Sequence, residues 1–281
     1  MTQKKSLISR IFSISTSDNA VLYPLGKIVL LPYSLLAKGF RAFFGPAAIY
    51  ALLISLLYLF TGQSMFCNFS LFSYDSICFY NPIMFIVTRI FVFYLIAAFC
   101  VRYYQTQWQN REPDWRFLIY PQRRDIISFF TMLILFLANF TALWSWKTLT
   151  VRVPNPNWKI ELTYFAFVSL GFLVPLVLLR LYVFTAFIWS GNKPISLWKI
   201  WIKTQGNNLR LLISFCLWFF ISMFLLSSIS NTFSASASEA GWFTIFTGEY
   251  MFNFALLIVF GFFVNSCSYQ KTILCKEKEN D

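Results

Sequence analysis

Long apolar runs alternate with short polar segments along this chain. Six runs stand out, at about 43–62, 82–101, 125–146, 161–189, 210–230 and 249–269. About 20 apolar residues in an α-helix are needed to cross the hydrocarbon core of a bilayer. The pattern therefore predicts an all-α fold, a polytopic helical membrane protein with six transmembrane helices.

Lys and Arg residues are divided unequally between the segments that connect these runs. The segment up to Arg41, the loops 102–124 and 191–210, and the tail from residue 270 hold 18 of the 23, whereas the connections on the other side hold three. Positive charge in short loops accumulates on the cytosolic side of a membrane. The distribution predicts that both termini are cytoplasmic, and it explains the net charge of +12 without a nucleic-acid partner.

The same pattern divides the chain into three parts: a cytosolic tail with an interfacial helix (1–42), a membrane domain (43–269) and a second cytosolic tail (270–281). Within the first part, Lys27 and Lys38 share one helical face, which favours an amphipathic helix lying on an anionic leaflet. Pro24 and Pro32 are expected to break or bend it. The alternative is an irregular lead-in to the first span.

Two pairs of short motifs suggest an internal duplication. Arg89-Ile-Phe-Val-Phe is matched by Arg180-Leu-Tyr-Val-Phe, and Arg124-Asp-Ile-Ile-Ser-Phe by Arg210-Leu-Leu-Ile-Ser-Phe. The pairs predict a repeated helical hairpin, 82–146 and 161–230, about an axis along the membrane normal. Chance similarity between Phe-rich runs is the alternative.

Arg89 and Arg180 are candidate site residues because each lies inside an apolar run. A charge at such depth costs ~2.5–3.5 kcal/mol on insertion scales and marks a site by default. No carboxylate is predicted at mid-depth, which leaves Asn139, Asn253 and Asn265 as uncharged partners. Each arginine either binds an anionic ligand such as a lipid phosphate or hydrogen-bonds within the protein in a structural role.

The segment 191–210 is the second candidate. Trp198 and Ile202 share one helical face, while Lys199 and Lys203 share another, as in a short amphipathic helix lying at the cytosolic interface. Together with Arg210, these side chains predict a contact with anionic lipid headgroups. A protein docking site is the alternative.

A motif runs from Trp201 to Leu212 and reads W-x-x-T-x-G-N-x-x-R-L-L, with Thr204, Gly206 and Asn207 at its centre. It resembles a pattern in a loose group of bacterial six-helix inner-membrane proteins that are similar to the membrane domain of some glycerophosphodiester phosphodiesterases. The resemblance implies a membrane module in the inner membrane with a role tied to envelope lipids. It implies no catalytic residues.

Composition narrows the chemistry. Hydrophobic residues make up 58% of the chain and charged residues 12%, and there is no histidine, so histidine bases, ligands and nucleophile pairs are excluded. No common hydrolase, metalloprotease or nucleotide-binding motif occurs. Ser196 and Lys199 fit S-x-x-K only formally. The sequence therefore predicts no catalytic residues, no metal site and no cofactor.

Cys67 and Cys78 lie in one connection without positive charge. On the non-cytosolic side they could form a disulfide in an oxidising compartment, or remain two free thiols. The same connection holds Asn68 in a glycosylation sequon, which matters only in a eukaryotic host.

These features favour a non-enzymatic integral membrane module that is lipid-associated or an accessory subunit, in contact with anionic headgroups. A protein partner or a homo-oligomer stays open. The alternative is a transporter or channel for a small anionic solute, which the paired arginines and the duplicated hairpin favour and the missing carboxylates oppose.

Overall fold

The computed structural model describes residues 23–61, 82–111, 121–135, 137, 180–191, 196–204, 206–237 and 242–276. Across these ranges the regular structure is entirely helical, with no β-strand. The helices in chain order are α1 (Leu25–Lys38), α2 (Phe40–Thr61), α3 (Pro82–Gln109), α4 (123–135), α5 (Val183–Ser190), α6 (Leu197–Lys203), α7 (Asn208–Ala237) and α8 (Trp242–Lys276).

Four of these helices are long and apolar enough to cross a membrane. The stretches lie in α2, α3, α7 and α8 and are Phe43–Thr61, Ile86–Gln109, Leu209–Ile229 and Phe243–Cys275. The all-α class is confirmed and a membrane protein is indicated. Six spans are not confirmed, because the third predicted run is described as helix only over 123–135 and the fourth only from residue 180.

Helix α8 is the longest of the described helices, and α1, α2, α3, α5 and α7 all pack against it. At 1.5 Å per residue its 35 residues extend about 50 Å, whereas the hydrocarbon core is about 30 Å thick. Such a helix must tilt or protrude. The sequence places a cytosolic tail from residue 270, but α8 continues to Lys276, and Lys271 and Leu274 are buried.

Helix α1 contains Pro32 without being broken by it. Proline has no N–H, so it cannot donate to the carbonyl oxygen of Ile28 one turn earlier. Ser214 of α7 supplies a hydrogen bond instead, because its Oγ donates to the Ile28 oxygen over 3.4 Å. The helix is therefore not broken at Pro32, and the proline position also joins α1 to α7.

The main core lies between α2, α3 and α8 and is rich in aromatic rings. Phe43, Tyr50 and Phe99 are fully buried, and Phe99 meets the other two edge-on at centroid distances of 5.8 and 5.6 Å. Edge-to-face contacts of this kind add about 0.5–1.5 kcal/mol per pair beyond burial. Phe-rich composition thus gives this core its directional packing.

Asparagines crosslink the same core. Asn253 Nδ2 donates to Ser55 Oγ over 3.0 Å, and Asn265 Nδ2 donates to the Tyr103 hydroxyl over 3.0 Å. Asn265 Oδ1 accepts from Trp108 Nε1. These contacts give both asparagines structural partners in α2 and α3 rather than the arginines considered from the sequence. Asn139 lies outside the described residues.

Candidate functional site at the basic end

One end of the helix bundle brings together segments that are far apart in sequence. The start of α1, α5, α6, the start of α7 and the end of α8 share an apolar cluster, whose members are Tyr23, Ile28, Val183, Phe187, Ile200, Leu211 and Leu274. We call this end the basic end, because Lys27 and Lys199 are exposed on its helices. The start of α8 and the end of α2 lie at the opposite end.

Helix α6 is short, and polar caps define both of its ends. Ser196 is the N-cap, and its Oγ accepts from the backbone N–H of Lys199 over 3.4 Å. Thr204 ends the helix and donates to the Ile200 oxygen over 2.8 Å. Ile200 faces the cluster, whereas Trp198 is 67% exposed. The helix therefore presents a tryptophan and a lysine outward from a buried anchor.

The segment after α6 holds the chain that precedes α1. Asn207 is fully buried, and its Oδ1 accepts from the backbone N–H of Tyr23 over 2.8 Å. Arg210 Nη1 donates to the carbonyl oxygen of Tyr23 over 2.6 Å. Both backbone groups of one residue are thus bound by two side chains of the other segment. We call this arrangement the Tyr23 latch.

The latch explains most of the motif between residues 201 and 212. Gly206 has φ +81°, a left-handed conformation that favours glycine, and it turns the chain between Thr204 and Asn207. Thr204 caps α6, and Asn207 and Arg210 form the latch. Spacing alone could not identify Tyr23 as the binding partner, because it lies 184 residues away from Asn207.

Arg180 lies behind the latch, with its guanidinium 4.4 Å from the centre of the Trp201 ring. It is 1% exposed, so the cation–π contact is shielded from water, where such contacts reach about 2 kcal/mol. Burial raises the pKa of the neighbouring Tyr23 phenol. The tyrosine therefore stays neutral, and the Trp201 ring helps to hold the Arg180 guanidinium.

Lys271 is a buried cation in the segment that the sequence analysis assigned to a cytosolic tail. Its Nζ donates to the Tyr104 hydroxyl over 3.0 Å and lies 5.4 Å from the centre of the Phe187 ring. Aromatic neighbours from α3 and α5 therefore surround this lysine of α8. Its depth depends on α8 continuing past residue 269, which hydropathy did not predict.

A second buried arginine was predicted in a basic loop. Helix α3 extends to Gln109, so Arg102 lies within it and is 1% exposed. Its Nη2 forms an ion pair with Asp125 Oδ2 at 2.8 Å, and Asp125 is fully buried. The same carboxylate oxygen accepts from the Gln122 backbone N–H over 2.9 Å, as at a capped helix start. The prediction of a loop beginning at residue 102 is wrong.

Arg89 lies near the opposite end of the bundle. Its Nη1 donates to the Tyr58 hydroxyl over 2.7 Å, and its guanidinium is 5.2 Å from that ring. Glu249, which is 4% exposed, lies within electrostatic reach of Tyr58. This small polar cluster joins α2, α3 and α8.

The structure thus brings together only part of the predicted site. Trp198, Lys199, Lys203, Arg180 and Arg210 lie at the basic end, while Arg89 does not. Among them, Trp198 and Lys199 are exposed, Lys203 and Arg210 are half-buried, and Arg180 is buried. The predicted disulfide residues Cys67 and Cys78 lie outside the described residues, as do residues 138–179 of the hairpin repeat.

Trp189 is the last residue of the fourth apolar run, a position where interfacial tryptophans are common. It is instead fully buried, and its Nε1 donates to Ser128 Oγ over 2.9 Å. Gly191 follows it with φ +70°, and the side chain of Arg124 packs so closely that a Cβ at this position would collide with it. These contacts join α5 to α4.

Comparison of the chain with protein-family models, with curated proteins and with solved structures yields no match.

Proposed function

We propose that this chain is a non-enzymatic integral membrane module whose basic end binds anionic lipid headgroups. One observation carries the proposal: α6 presents the exposed Trp198 beside the exposed Lys199 from a helix anchored by the buried Ile200. Tryptophan prefers the headgroup level of a bilayer. A lysine near an anionic leaflet contributes about 1 kcal/mol to membrane attraction.

The buried and half-buried arginines of the bundle support a division of roles. Arg180 contacts Trp201, Arg102 pairs with Asp125, and Arg89 donates to Tyr58. Cations held by protein groups in this way stabilise the bundle, which leaves the exposed cations to meet a headgroup. The headgroup site is therefore centred on the exposed Trp198 and Lys199, with Arg210 as a structural support through Tyr23.

The charge distribution along the chain also predicts which side of the membrane the basic end faces. The unequal distribution of Lys and Arg favours a cytosolic basic end with both termini on that side. With the resemblance of residues 201–212 to bacterial inner-membrane proteins, this indicates the inner leaflet of a bacterial plasma membrane. In that setting α6 lies as an amphipathic helix at the interface. An accessory subunit with a protein partner fits the same surface.

The double variant Trp198→Ala/Lys199→Ala should retain less phosphatidylglycerol than the wild type. We expect about a fivefold loss, because removal of one lysine contact of about 1 kcal/mol changes an equilibrium by that factor. Native mass spectrometry of the protein released from mixed detergent micelles measures the bound lipid. Phe243→Ala is the matched control, since Phe243 is an aromatic residue 81% exposed at the opposite end. Equal retention in all three proteins would refute headgroup binding at α6.

A further inference from the structure

A groove between α1, α7 and α8 extends from the basic end into the membrane-spanning part of the bundle. Its volume is about 370 Å³. On α8 it reaches from Gln270 to Leu256, and on α7 from Leu211 to Leu226. At 1.5 Å per residue each distance is about 21–22 Å, which exceeds one leaflet of a hydrocarbon core about 30 Å thick.

The polarity of the groove changes along its length. Ser214, Ser266 and Gln270 line the end near the basic end, whereas Leu226 and Leu256 line the deep end together with Met132 of α4. No charged side chain is among its described lining residues. A solute anion has no cation to bind there, while an amphiphile with one polar end matches the gradient.

Gln270 independently points to a ligand with a hydrogen-bond donor. Its Nε2 donates to Ser266 Oγ over 3.3 Å, and it is 6% exposed. Its Oε1 is buried and has no hydrogen-bond partner among the described residues. Buried polar atoms are normally paired, so each exception calls for an explanation such as a bound group. An amide oxygen requires a donor, for example a hydroxyl or an ammonium group.

The size and shape of the groove limit which molecules can occupy it. A volume of about 370 Å³ spread over roughly 21 Å makes the groove narrow, so it matches one slender chain better than a helix about 10–12 Å across. A single extended hydrocarbon chain is the slender apolar molecule that the surrounding bilayer supplies, and pockets of about 300–1,000 Å³ are usual for small ligands.

We propose that the groove binds one acyl chain of a membrane lipid, with Gln270 Oε1 accepting a hydrogen bond from the lipid's polar end. This inference rests on the proposed lipid-associated function and specifies the lipid by chemistry: a hydroxyl or ammonium donor at the headgroup or glycerol level. Ser222 lies midway along the groove, and its own hydroxyl already donates to the Trp218 oxygen over 2.6 Å. The acyl chain therefore passes it through apolar contact.

The test uses two lipids that differ in donors but share net charge: phosphatidylethanolamine, whose ammonium donates, and phosphatidylcholine, whose quaternary ammonium does not. Each carries the same photoreactive diazirine at the end of one acyl chain, and each is mixed into nanodiscs containing the full chain. Peptide mapping should place label on the groove segments around Leu226 and Leu256. Phosphatidylethanolamine should label them about threefold more strongly, because the net stabilisation from its hydrogen bond to Gln270 raises binding by about that factor.

Three variants, one of them a control, separate the contribution of the groove from that of Gln270. Ser222→Leu fills the groove and should lower labelling by both lipids about tenfold, because its added methyl groups displace methylenes of the acyl chain. Ser228→Leu makes the same change at an exposed position of the same helix and should leave labelling unchanged. Gln270→Leu should abolish the difference between the lipids while preserving tail labelling.

Labelling spread evenly over the exposed face of α7, or unaffected by Ser222→Leu in a protein that melts like the wild type, would overturn the groove site. Equal wild-type labelling by both lipids would overturn the role of Gln270. Trp198→Ala/Lys199→Ala should leave groove labelling by phosphatidylethanolamine unchanged. Failure of headgroup binding at α6 is therefore distinguishable from failure of the groove.

Discussion

Asp125→Ala should destabilise the protein by about 3–5 kcal/mol. The substitution leaves the guanidinium of Arg102 buried without its carboxylate, and an uncompensated buried charge is among the costliest single defects. It also removes the acceptor of the Gln122 backbone N–H at the start of α4. Thermal unfolding in detergent, followed by circular dichroism, measures the loss.

The double variant Arg102→Met/Asp125→Leu separates the cost of an orphaned charge from the value of the pair. Apolar replacement of a buried ion pair is often neutral or stabilising. We therefore expect the double variant to melt well above Asp125→Ala and close to the wild type. A double variant no more stable than the single would show that the pair itself, rather than the unpaired arginine, carries the effect.

Asn207→Ala should release the start of α1 from the basic end. The backbone N–H of Tyr23 loses its acceptor inside a buried site, which costs about 1–3 kcal/mol. Local opening should become easier by about tenfold, and amide hydrogen exchange over residues 25–38 should accelerate accordingly. Exchange within α8 away from α1 should change less.

Lys27→Ala is the control for the latch, because Lys27 is exposed on α1 itself and takes no part in the Tyr23 contacts. Its exchange pattern should match the wild type. Arg210→Ala should resemble Asn207→Ala, since it removes the donor to the Tyr23 oxygen. Unaltered exchange of α1 in both latch variants would mean that these hydrogen bonds do not hold the segment.

Hydropathy predicted two of the long apolar helices well, where nothing interrupts the apolar run. The first predicted span, 43–62, closely matches Phe43–Thr61, and 210–230 matches Leu209–Ile229. In both cases, polar or turn-forming residues lie within one or two positions of each end of the apolar run. The signal is local, since about 20 consecutive apolar residues have few alternatives to a membrane helix.

Hydropathy did not predict the helix ends correctly where a charged residue is buried against a partner distant in sequence. Arg102 ended the predicted second span because an arginine there looked like the start of a loop. Asp125 lies 23 residues away and neutralises it only once α3 and α4 are packed. Lys271 misled the prediction of the last span in the same way, because Tyr104 and Phe187 shield it.

The sequence identified the short helix that carries the candidate site, but not the contacts that hold this helix in place. Helical periodicity correctly indicated that Trp198 and Lys199 belong to one short helix after Pro194. It could not show that Ile200 anchors that helix, or that Arg210 binds the backbone of Tyr23. Those features depend on contacts between the two halves of the chain. The spacing of residues along the sequence does not reveal such contacts.

The lipid-binding proposal requires that the basic end meet the cytosolic leaflet, and side-specific labelling tests this most directly. Trp198→Cys and Phe243→Cys place one thiol at an exposed position at each end. A membrane-impermeant maleimide is applied to intact cells and to inside-out vesicles, with the parent protein as background. The prediction is added label at residue 198 only in inside-out vesicles and at residue 243 only in intact cells. Label at residue 198 in intact cells would contradict it.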